Sequence, residues 1–299
     1  MAAQRTEHVI KELTVRSISE RTSALLLMIV FTAATVDAEH AAGNYFGQTP
    51  PGTSPARFAP GIVSTEGYDI TPTFSPALDE VFWGCRPTQA GSDNRIYHSK
   101  CTGGVWSDPA LATFSSGAME FEAQFSCDGL TLYYNRSGDI YSSERTDSGW
   151  SPGRQLAPPV NEGMCIATAT DGGLYFTAAR AKQYGIWKSG RTEEGYSEPE
   201  LVVPFAAHPF VAPDESYLLC DRYGDNRTSR LYVCFPRKDG TWSEPTPLGD
   251  EINATGTELI AKVSPDGKYL FFQRKLDNNT DVYWVDASIV AELRAQLLE

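Results

Sequence analysis

One short phrase recurs five times along the chain, and this recurrence limits the fold more than any other feature. Each copy has an apolar residue, a turn that in most copies carries Asp, a strand, and a final Arg. The copies are FSPALDEVFWGCR from 74, FSCDGLTLYYNR from 125, TATDGGLYFTAAR from 168, VAPDESYLLCDR from 211 and VSPDGKYLFFQR from 263. A unit repeated in this way predicts an architecture in which each copy packs against its neighbours.

The spacing of a second signature gives the size of the unit. An apolar-aromatic strand follows every copy, and after the first four copies comes a pair of an aromatic residue and Ser. These pairs stand 44 to 46 residues apart, at Trp106-Ser107, Trp150-Ser151, Tyr196-Ser197 and Trp242-Ser243. A unit of this length predicts four antiparallel strands, and such sheets bury both faces by packing around an axis as a β-propeller.

The predicted fold is therefore all-β, with about five four-stranded blades; a degenerate sixth blade is the alternative. The fifth copy has no outer strand of its own. The segment RFAPGIV at 57–63 precedes the first inner strand, so we expect it to pair with the fifth blade and close the ring, which removes an open sheet edge. Apolar residues at helical spacing in the tail predict a short helix over 287–299 that packs on the propeller.

The N-terminal region has the pattern of an export signal. An apolar run at 24–36 follows Arg16 and Arg21 and precedes small residues at 36–38. We interpret 1–38 as a signal peptide, with a translation start further along the chain or an uncleaved anchor as the alternatives. An extended arm at 39–56 and a single propeller domain at 57–299 would follow. This interpretation predicts a periplasmic or secreted protein without a stable membrane span once the signal is removed.

Charge and cysteine content narrow the classes of partner. The formal net charge is −13, which disfavours nucleic acid because its phosphates need clustered basic residues. Six cysteines are compatible with disulfides in an oxidising compartment or with free buried thiols. Sequence does not choose among their pairings, and neither does it give the oligomeric state. The six are Cys85, Cys101, Cys127, Cys165, Cys220 and Cys234.

The repeated Ser-Pro-Asp-Gly turn, followed by a strand and Arg, resembles the TolB-like (Pro-Asp repeat) β-propeller. The flanks at 47–67 and 281–293 look like those of exported bacterial propellers of this type. The resemblance covers about 45–299 and implies the fold rather than an activity. TolB also carries an α/β domain ahead of its propeller, and we expect no counterpart of that domain within these 299 residues. Related oligopeptidases carry a GxSxG nucleophile motif that this chain lacks.

Two sets of residues are candidates for special roles. The first repeats in every blade, so we expect a structural role, with the turn Asp bonded to the strand-end Arg of its copy. This set comprises Asp128, Asp171, Asp214, Asp266, Arg86, Arg136, Arg180, Arg222 and Arg274.

The second set differs between blades and falls near the starts of the aligned inner strands, which predicts a binding site at one channel mouth. Its members are Asp69, Glu120, Glu122, His208, Glu258 and Lys262. A solvated acidic rim is the alternative interpretation of this second set.

No cofactor or metal centre is predicted from residue spacing. Outside the leader and arm only His98 and His208 remain, and they are too far apart for a typical zinc pattern. The segment DNNTD at 277–281 is interpreted as a hairpin loop, with a calcium loop as the alternative.

The favoured function is a non-catalytic binding or scaffold propeller that recognises an envelope or extracellular protein or glycan. The alternative is a carbohydrate-active enzyme, a glycoside hydrolase or lyase, that uses Asp69, Glu120, Glu122 and Glu258 as acids and bases. Such an enzyme would need two carboxylates that flank the scissile bond at a fixed separation.

Overall fold

A computed structural model describes residues 42–224, 228–277 and 279–298. The predicted signal peptide lies outside these residues. The described chain is mostly β, with a short 3-10 helix at Asn44–Gly47 and one α-helix, α1, at Ser288–Leu298. Among the described residues, no helix is both long and apolar enough to cross a bilayer. The predicted β class and the predicted C-terminal helix are both confirmed.

Twenty-four strands follow one another in the described residues. They are β1 (Ala56–Arg57), β2 (Tyr68–Phe74), β3 (Glu80–Arg86), β4 (Arg95–Thr102), β5 (Val105–Trp106), β6 (Ala110–Leu111), β7 (Glu120–Phe125), β8 (Thr131–Arg136), β9 (Asp139–Thr146), β10 (Gly149–Trp150), β11 (Arg154–Gln155), β12 (Met164–Thr168), β13 (Leu174–Arg180), β14 (Gln183–Ser189), β15 (Arg191–Thr192), β16 (Gly195–Tyr196), β17 (Glu200–Pro204), β18 (Ala207–Val211), β19 (Leu218–Tyr223), β20 (Ser229–Cys234), β21 (Thr246–Pro247), β22 (Glu258–Val263), β23 (Tyr269–Leu276) and β24 (Asn279–Asp286).

Antiparallel pairing joins most strands into five groups of four. The orders are β2-β3-β4-β6, β7-β8-β9-β11, β12-β13-β14-β17, β18-β19-β20-β21 and β22-β23-β24-β1. In the last group Ala56 lies opposite Trp284, so a strand from the N-terminal end pairs with the last strand of the chain. Strand β24 also makes one parallel pair with β2, between Thr280 and Tyr68. Strands β5, β10 and the β15–β16 pair form hairpin extensions.

The repeated turn Asp caps its own turn and does not bond to the repeated Arg, which corrects the expected Asp–Arg pairing. Asp128 accepts hydrogen bonds from Ser126 Oγ at 2.6 Å and from Leu130 N at 3.0 Å. Asp171, Asp214 and Asp266 likewise accept from backbone N–H groups two residues ahead. The strand between turn and Arg explains the difference, since a rise of about 3.3 Å per residue puts the two ends of a six-residue strand roughly 20 Å apart.

The repeated Arg in most copies instead anchors the segment of chain that precedes the inner strand of its own group. Arg180 donates to Pro159 O at 2.8 Å and Arg222 to Pro204 O at 3.1 Å. Arg136 and Arg274 make similar bonds to loop carbonyls and also pair with carboxylates. Arg86 differs from the others, because its guanidinium lies over the Tyr68 ring.

The repeated aromatic-Ser pair is also structural. The Ser151 hydroxyl accepts from Glu144 N at 2.9 Å, and the corresponding hydroxyls of Ser107, Ser197 and Ser243 accept from the end of the third strand in the same way. The aromatic member reaches the preceding group, as Trp150 does through a 3.0 Å bond from Nε1 to Glu80 Oε1. The signature therefore fixes contacts within and between repeats.

Both ends of the described part of the chain pack on the strands. Of the predicted arm, the structure describes 42–56, in which Tyr45 and Phe46 are buried in a cluster with Trp284. At the other end Val290 of α1 is buried against a separate cluster that includes Phe235. The six cysteines are all free thiols.

Candidate binding site

A β-bulge interrupts each of the five inner strands at the same level. Strands β2, β7, β12, β18 and β22 each shift register against the second strand of their group. At these bulges Glu122, Cys165, His208 and Ile260 have φ values of 54°, 59°, 47° and 55°. Such values are strained for these residue types and persist only where the surroundings enforce them. Bulges of this kind often re-aim side chains near functional sites.

Side chains on the neighbouring group hold three of these bulges in place. In each case a residue of the second strand accepts the backbone N–H of the bulge residue in the next inner strand. The pairs are Asn135 Oδ1 with Cys165 N at 2.8 Å, Thr177 Oγ1 with His208 N at 3.0 Å, and Asp221 Oδ1 with Ile260 N at 3.2 Å. The strain is thus balanced by hydrogen bonds that also join adjacent groups.

Three bulge side chains form a compact polar cluster. One potential ligand atom each from Glu122, Cys165 and His208 lies within 4.8 Å of the other two. His208 Nε2 is 3.5 Å from Glu122 Oε1, and its other ring nitrogen, Nδ1, is 2.7 Å from Asp221 Oδ1. The side chain of His208 is 13% exposed and that of Glu122 is 6% exposed. The cluster therefore combines an imidazole, a thiol and a carboxylate in a nearly dry setting.

The protonation of the cluster follows from burial and charge. Burial alone would lower the pKa of His208, but Asp221, Cys165 and Glu122 together raise it well above its usual value. Burial raises the pKa of the Cys165 thiol to about 12. Burial lowers the pKa of nearby Lys262 to about 8, although Glu122 and Cys165 oppose this effect.

A cavity of about 480 Å³ lies where all five inner strands converge. Each strand contributes to its wall, for example through Thr73, Gln124, Thr168, Phe210 and Lys262. It is also lined by turn residues that follow the inner strands. The cavity therefore lies at the ends of these strands, opposite the mouth where the sequence placed the binding site. Of the six residues predicted for that mouth, only Lys262 lines the cavity.

The ammonium group of Lys262 faces few partners. Its Nζ donates to Ala123 O at 2.8 Å, the one hydrogen bond that this group makes among the described residues. The side chain is 93% buried. An ammonium carries three donors, so this group has capacity for further acceptors.

Three members of the predicted mouth set, Asp69, Glu120 and Glu258, are internal structural residues. Asp69, Glu120 and Glu258 are fully buried. Glu120 Oε1 is 2.8 Å from Arg136 Nε, and Glu258 Oε1 is 3.1 Å from Arg274 Nε. These carboxylates do not form a solvated acidic rim.

Asp69 is buried without such a partner. It accepts hydrogen bonds from the backbone N–H of Thr65 at 2.5 Å and from the Thr65 hydroxyl. Burial raises its pKa to about 6 despite these bonds. The predicted set thus divides into three buried structural carboxylates and a second group of Glu122, His208 and the nearby Lys262.

Sequence reasoning left Cys165 and Asp221 out of the site. Cys165 stands 43 residues after Glu122 and 43 residues before His208, so equal spacing was the available signal. Asp221 lies immediately before the repeated Arg222, at a position where the residue type differs between repeats. Its role depends on packing between groups.

The segment interpreted as a hairpin or calcium loop is the β23–β24 turn. Asp281 Oδ1 is 2.8 Å from Arg57 Nη2, and Asn279 Nδ2 donates to Thr65 O. Asn278 lies outside the described residues. The carboxylate of Asp281 is thus engaged within the protein.

Comparisons with known proteins agree on the fold. No protein-family model matches the chain, and no curated protein matches it by sequence. A protein described as TolB from Agrobacterium tumefaciens is 15% identical, with a TM-score of 0.50 over 74% of this chain and 78% of that one. The catalytic domain of the GH62 alpha-L-arabinofuranosidase of Coprinopsis cinerea is 12% identical, with a TM-score of 0.53 over 79% and 97%.

TolB from Acinetobacter baumannii is 13% identical, with a TM-score of 0.49 over 74% of this chain. The chain spans about half of that protein, 52% of its length. At these identities the likeness concerns the fold alone, and it agrees with the Pro-Asp repeat in the sequence. The chain has a TolB-like β-propeller fold.

Proposed function

We propose that this protein is an exported, non-catalytic propeller of five blades that binds a segment of a protein or glycan in its axial channel. The observation that carries the proposal is the cavity of about 480 Å³ to which every inner strand contributes. A cavity of this size with apolar walls and few polar groups is typical of a ligand site.

The pairing of β1 with β24 supports a ring of five blades closed by the N-terminal strand. With β1 counted, the last group has four strands like the others. The bond from Phe58 N to Val282 O at 2.8 Å extends this pairing past Arg57. Closure of this kind would cover the exposed edge of β24.

The lining of the cavity indicates the chemistry of the ligand. Phe125, Phe210 and Tyr217 offer apolar and aromatic surface, and Lys262 offers donors from a largely dry position. This combination favours a ligand that has an apolar face and a carboxylate or another strong oxygen acceptor. Acidic peptides and uronate-containing glycans both meet this description.

The alternative of a carbohydrate-active enzyme has less support. Glu120 and Glu258 are committed to arginine partners in fully buried positions. A glycosidase needs two accessible carboxylates that flank the scissile bond. The likeness to an arabinofuranosidase concerns the fold and adds no catalytic residues to this chain.

Thermal melts of the purified full chain test the proposal. The panel contains acidic and neutral peptides and uronate and neutral oligosaccharides. A ligand at about one hundred times its dissociation constant adds about 2.7 kcal/mol, which raises the melting temperature by several degrees. We expect a shift with an acidic member, lost in Lys262→Met and retained in Lys275→Met, which changes an exposed lysine.

Two outcomes would count against the proposal. One is a flat response to the whole panel. The other is a shift that survives Lys262→Met unchanged, because it would place the ligand elsewhere. Turnover of an oligosaccharide by the wild-type protein would favour the enzyme alternative instead.

A further inference from the structure

Glu122, Cys165 and His208 come from three consecutive inner strands, β7, β12 and β18, and meet at one level of the channel. We propose that these three side chains bind a divalent transition-metal ion, zinc in particular. This site is distinct from the cavity in which we place the protein or glycan ligand. Metal binding by these three residues does not depend on the identity of that ligand.

The separations between the three side chains are compatible with a bound metal ion. Zinc lies about 2.0–2.3 Å from nitrogen, oxygen and sulfur ligands, so tetrahedral ligand atoms are roughly 3.3–3.8 Å apart. The separation of 3.5 Å between His208 Nε2 and Glu122 Oε1 falls in this range. All three ligand atoms lie within 4.8 Å of one another, so small side-chain rotations would complete the set.

Asp221 supplies the outer partner that metal-binding histidines usually have. Its Oδ1 is 2.7 Å from His208 Nδ1 and also accepts from Ile260 N at 3.2 Å. A proton held on Nδ1 by this carboxylate leaves the lone pair of Nε2 directed away from it, towards Glu122. The histidine is therefore oriented for coordination by a residue that is itself fixed.

The backbone holds the ligands before any metal arrives. All three ligands sit at bulges with positive φ, and the N–H groups of Cys165 and His208 are fixed by hydrogen bonds that they donate to Asn135 Oδ1 and Thr177 Oγ1. Preorganised ligands lose little conformational freedom on binding. Strained positions of this kind are concentrated at functional sites.

An unpaired buried hydroxyl at the same level is a second, independent observation. Thr71 lies in the register shift of β2, the position that corresponds to Glu122 in β7. The Thr71 side chain is buried, and its Oγ1 has no hydrogen-bond partner among the described residues. Natural structures rarely leave such a group unsatisfied, so a bound water or ligand atom is expected near it.

The combination of thiolate, imidazole and carboxylate ligands determines which metal ions are favoured. Thiolate and imidazole ligands favour zinc and related transition ions, whereas calcium and magnesium prefer sites built from oxygen alone. Three protein ligands leave a fourth tetrahedral position for water or for an oxygen of a bound molecule. Without a metal, the same residues would form an ion-pair cluster around a protonated His208, and the experiment separates these two states.

Cobalt titration of the full chain tests the site. The protein is treated with EDTA, dialysed and titrated with Co²⁺, which replaces zinc and gives an intense sulfur-to-metal band when a thiolate is bound. We expect one Co²⁺ per chain, a thiolate band, and displacement of that band by Zn²⁺. Cys165→Ser removes the band while nearly preserving side-chain volume. Cys127→Ser, which changes a different thiol that lines the cavity, leaves the band intact.

Zinc calorimetry on further variants completes the test. We expect His208→Gln and Glu122→Gln to weaken zinc binding at least tenfold, with His98→Gln unchanged. X-ray absorption of the zinc-loaded wild type should show one sulfur neighbour among nitrogen and oxygen neighbours. A wild type without a thiolate band, a band that survives Cys165→Ser, or a zinc shell without sulfur would each overturn the proposal. Because the absorption experiments use the wild type, a variant that fails to fold does not affect them.

Discussion

Asp221 Oδ1 lies 2.7 Å from His208 Nδ1, within the same group of strands, and the same oxygen accepts from Ile260 N of the next group. One fully buried carboxylate thereby positions a channel side chain and joins two repeats.

Asp221→Ala should therefore destabilise the fold by about 3 kcal/mol, because removal of one partner leaves a buried charge and a backbone N–H unsatisfied. Asp221→Asn should cost less, since its amide oxygen still accepts from both donors. Urea unfolding of both variants measures the difference. Equal losses would mean that the negative charge, and not the acceptor, matters.

The Glu120–Arg136 pair should contribute to stability and not to ligand binding. Its N–O distance is 2.8 Å, and the carboxylate is fully buried. Glu120→Gln or Arg136→Met alone should cost about 3 kcal/mol, and the double variant should cost less than the sum because the two residues share one interaction.

A matched comparison is the exposed pair of Arg230 and Asp250, where loss of either partner should cost less than about 1 kcal/mol. A ligand-induced melting shift should survive in Glu120→Gln. Loss of the shift in Glu120→Gln would instead indicate that Glu120 contributes to ligand binding.

Acid should lower the free energy of unfolding by protonating Glu80. Burial alone would raise the pKa of this carboxyl, but hydrogen bonds from His98, Trp150 and Arg145 lower it from 4.5 to about 2. A depressed native pKa contributes stability that is fully present above pH 4.5 and is lost as the pH falls towards 2. The shift corresponds to roughly 3 kcal/mol at neutral pH.

Urea unfolding of wild type and Glu80→Gln across this range measures the contribution. The difference between them should be largest above pH 4.5 and should shrink at lower pH. Glu144→Gln, at an exposed position, should unfold in parallel with the wild type. A difference that does not vary with pH would assign the effect to packing.

Residues before the first blade should be part of the folded domain. Tyr45 is 5% exposed, its ring packs against Phe74 and Tyr269, and its hydroxyl donates to Asp266 Oδ1 at 2.8 Å. Tyr45→Ala should cost about 3–5 kcal/mol because it leaves a large cavity. Tyr45→Phe should cost about 1 kcal/mol through the lost hydrogen bond.

Thermal melts of these variants also bear on ring closure, because Tyr45 precedes β1. Tyr184→Ala, which truncates an exposed tyrosine, serves as the control and should change little. A wild-type melt for Tyr45→Ala would show that the N-terminal segment is not needed for the fold.

The repeated features of the sequence were sufficient to predict the class of fold. A phrase that recurs with a fixed period needs only local turn and strand preferences to be recognised, and it led to a TolB-like propeller, with which the structural comparisons agree. The apolar spacing of the tail predicted α1 in the same way. These predictions depend on residues close together in the chain.

Tertiary structure alone decided which predicted site residues share a function. Glu120 and Glu258 looked like site residues because they differ from the corresponding residues of other repeats, but antiparallel register puts each beside an arginine. Glu122, Cys165 and His208 are separated by one repeat each and meet because their strands converge and bulge at one level. Sequence determined the repeating unit through short-range preferences, whereas the packing of units around an axis decided which side chains are buried, paired or gathered in the channel.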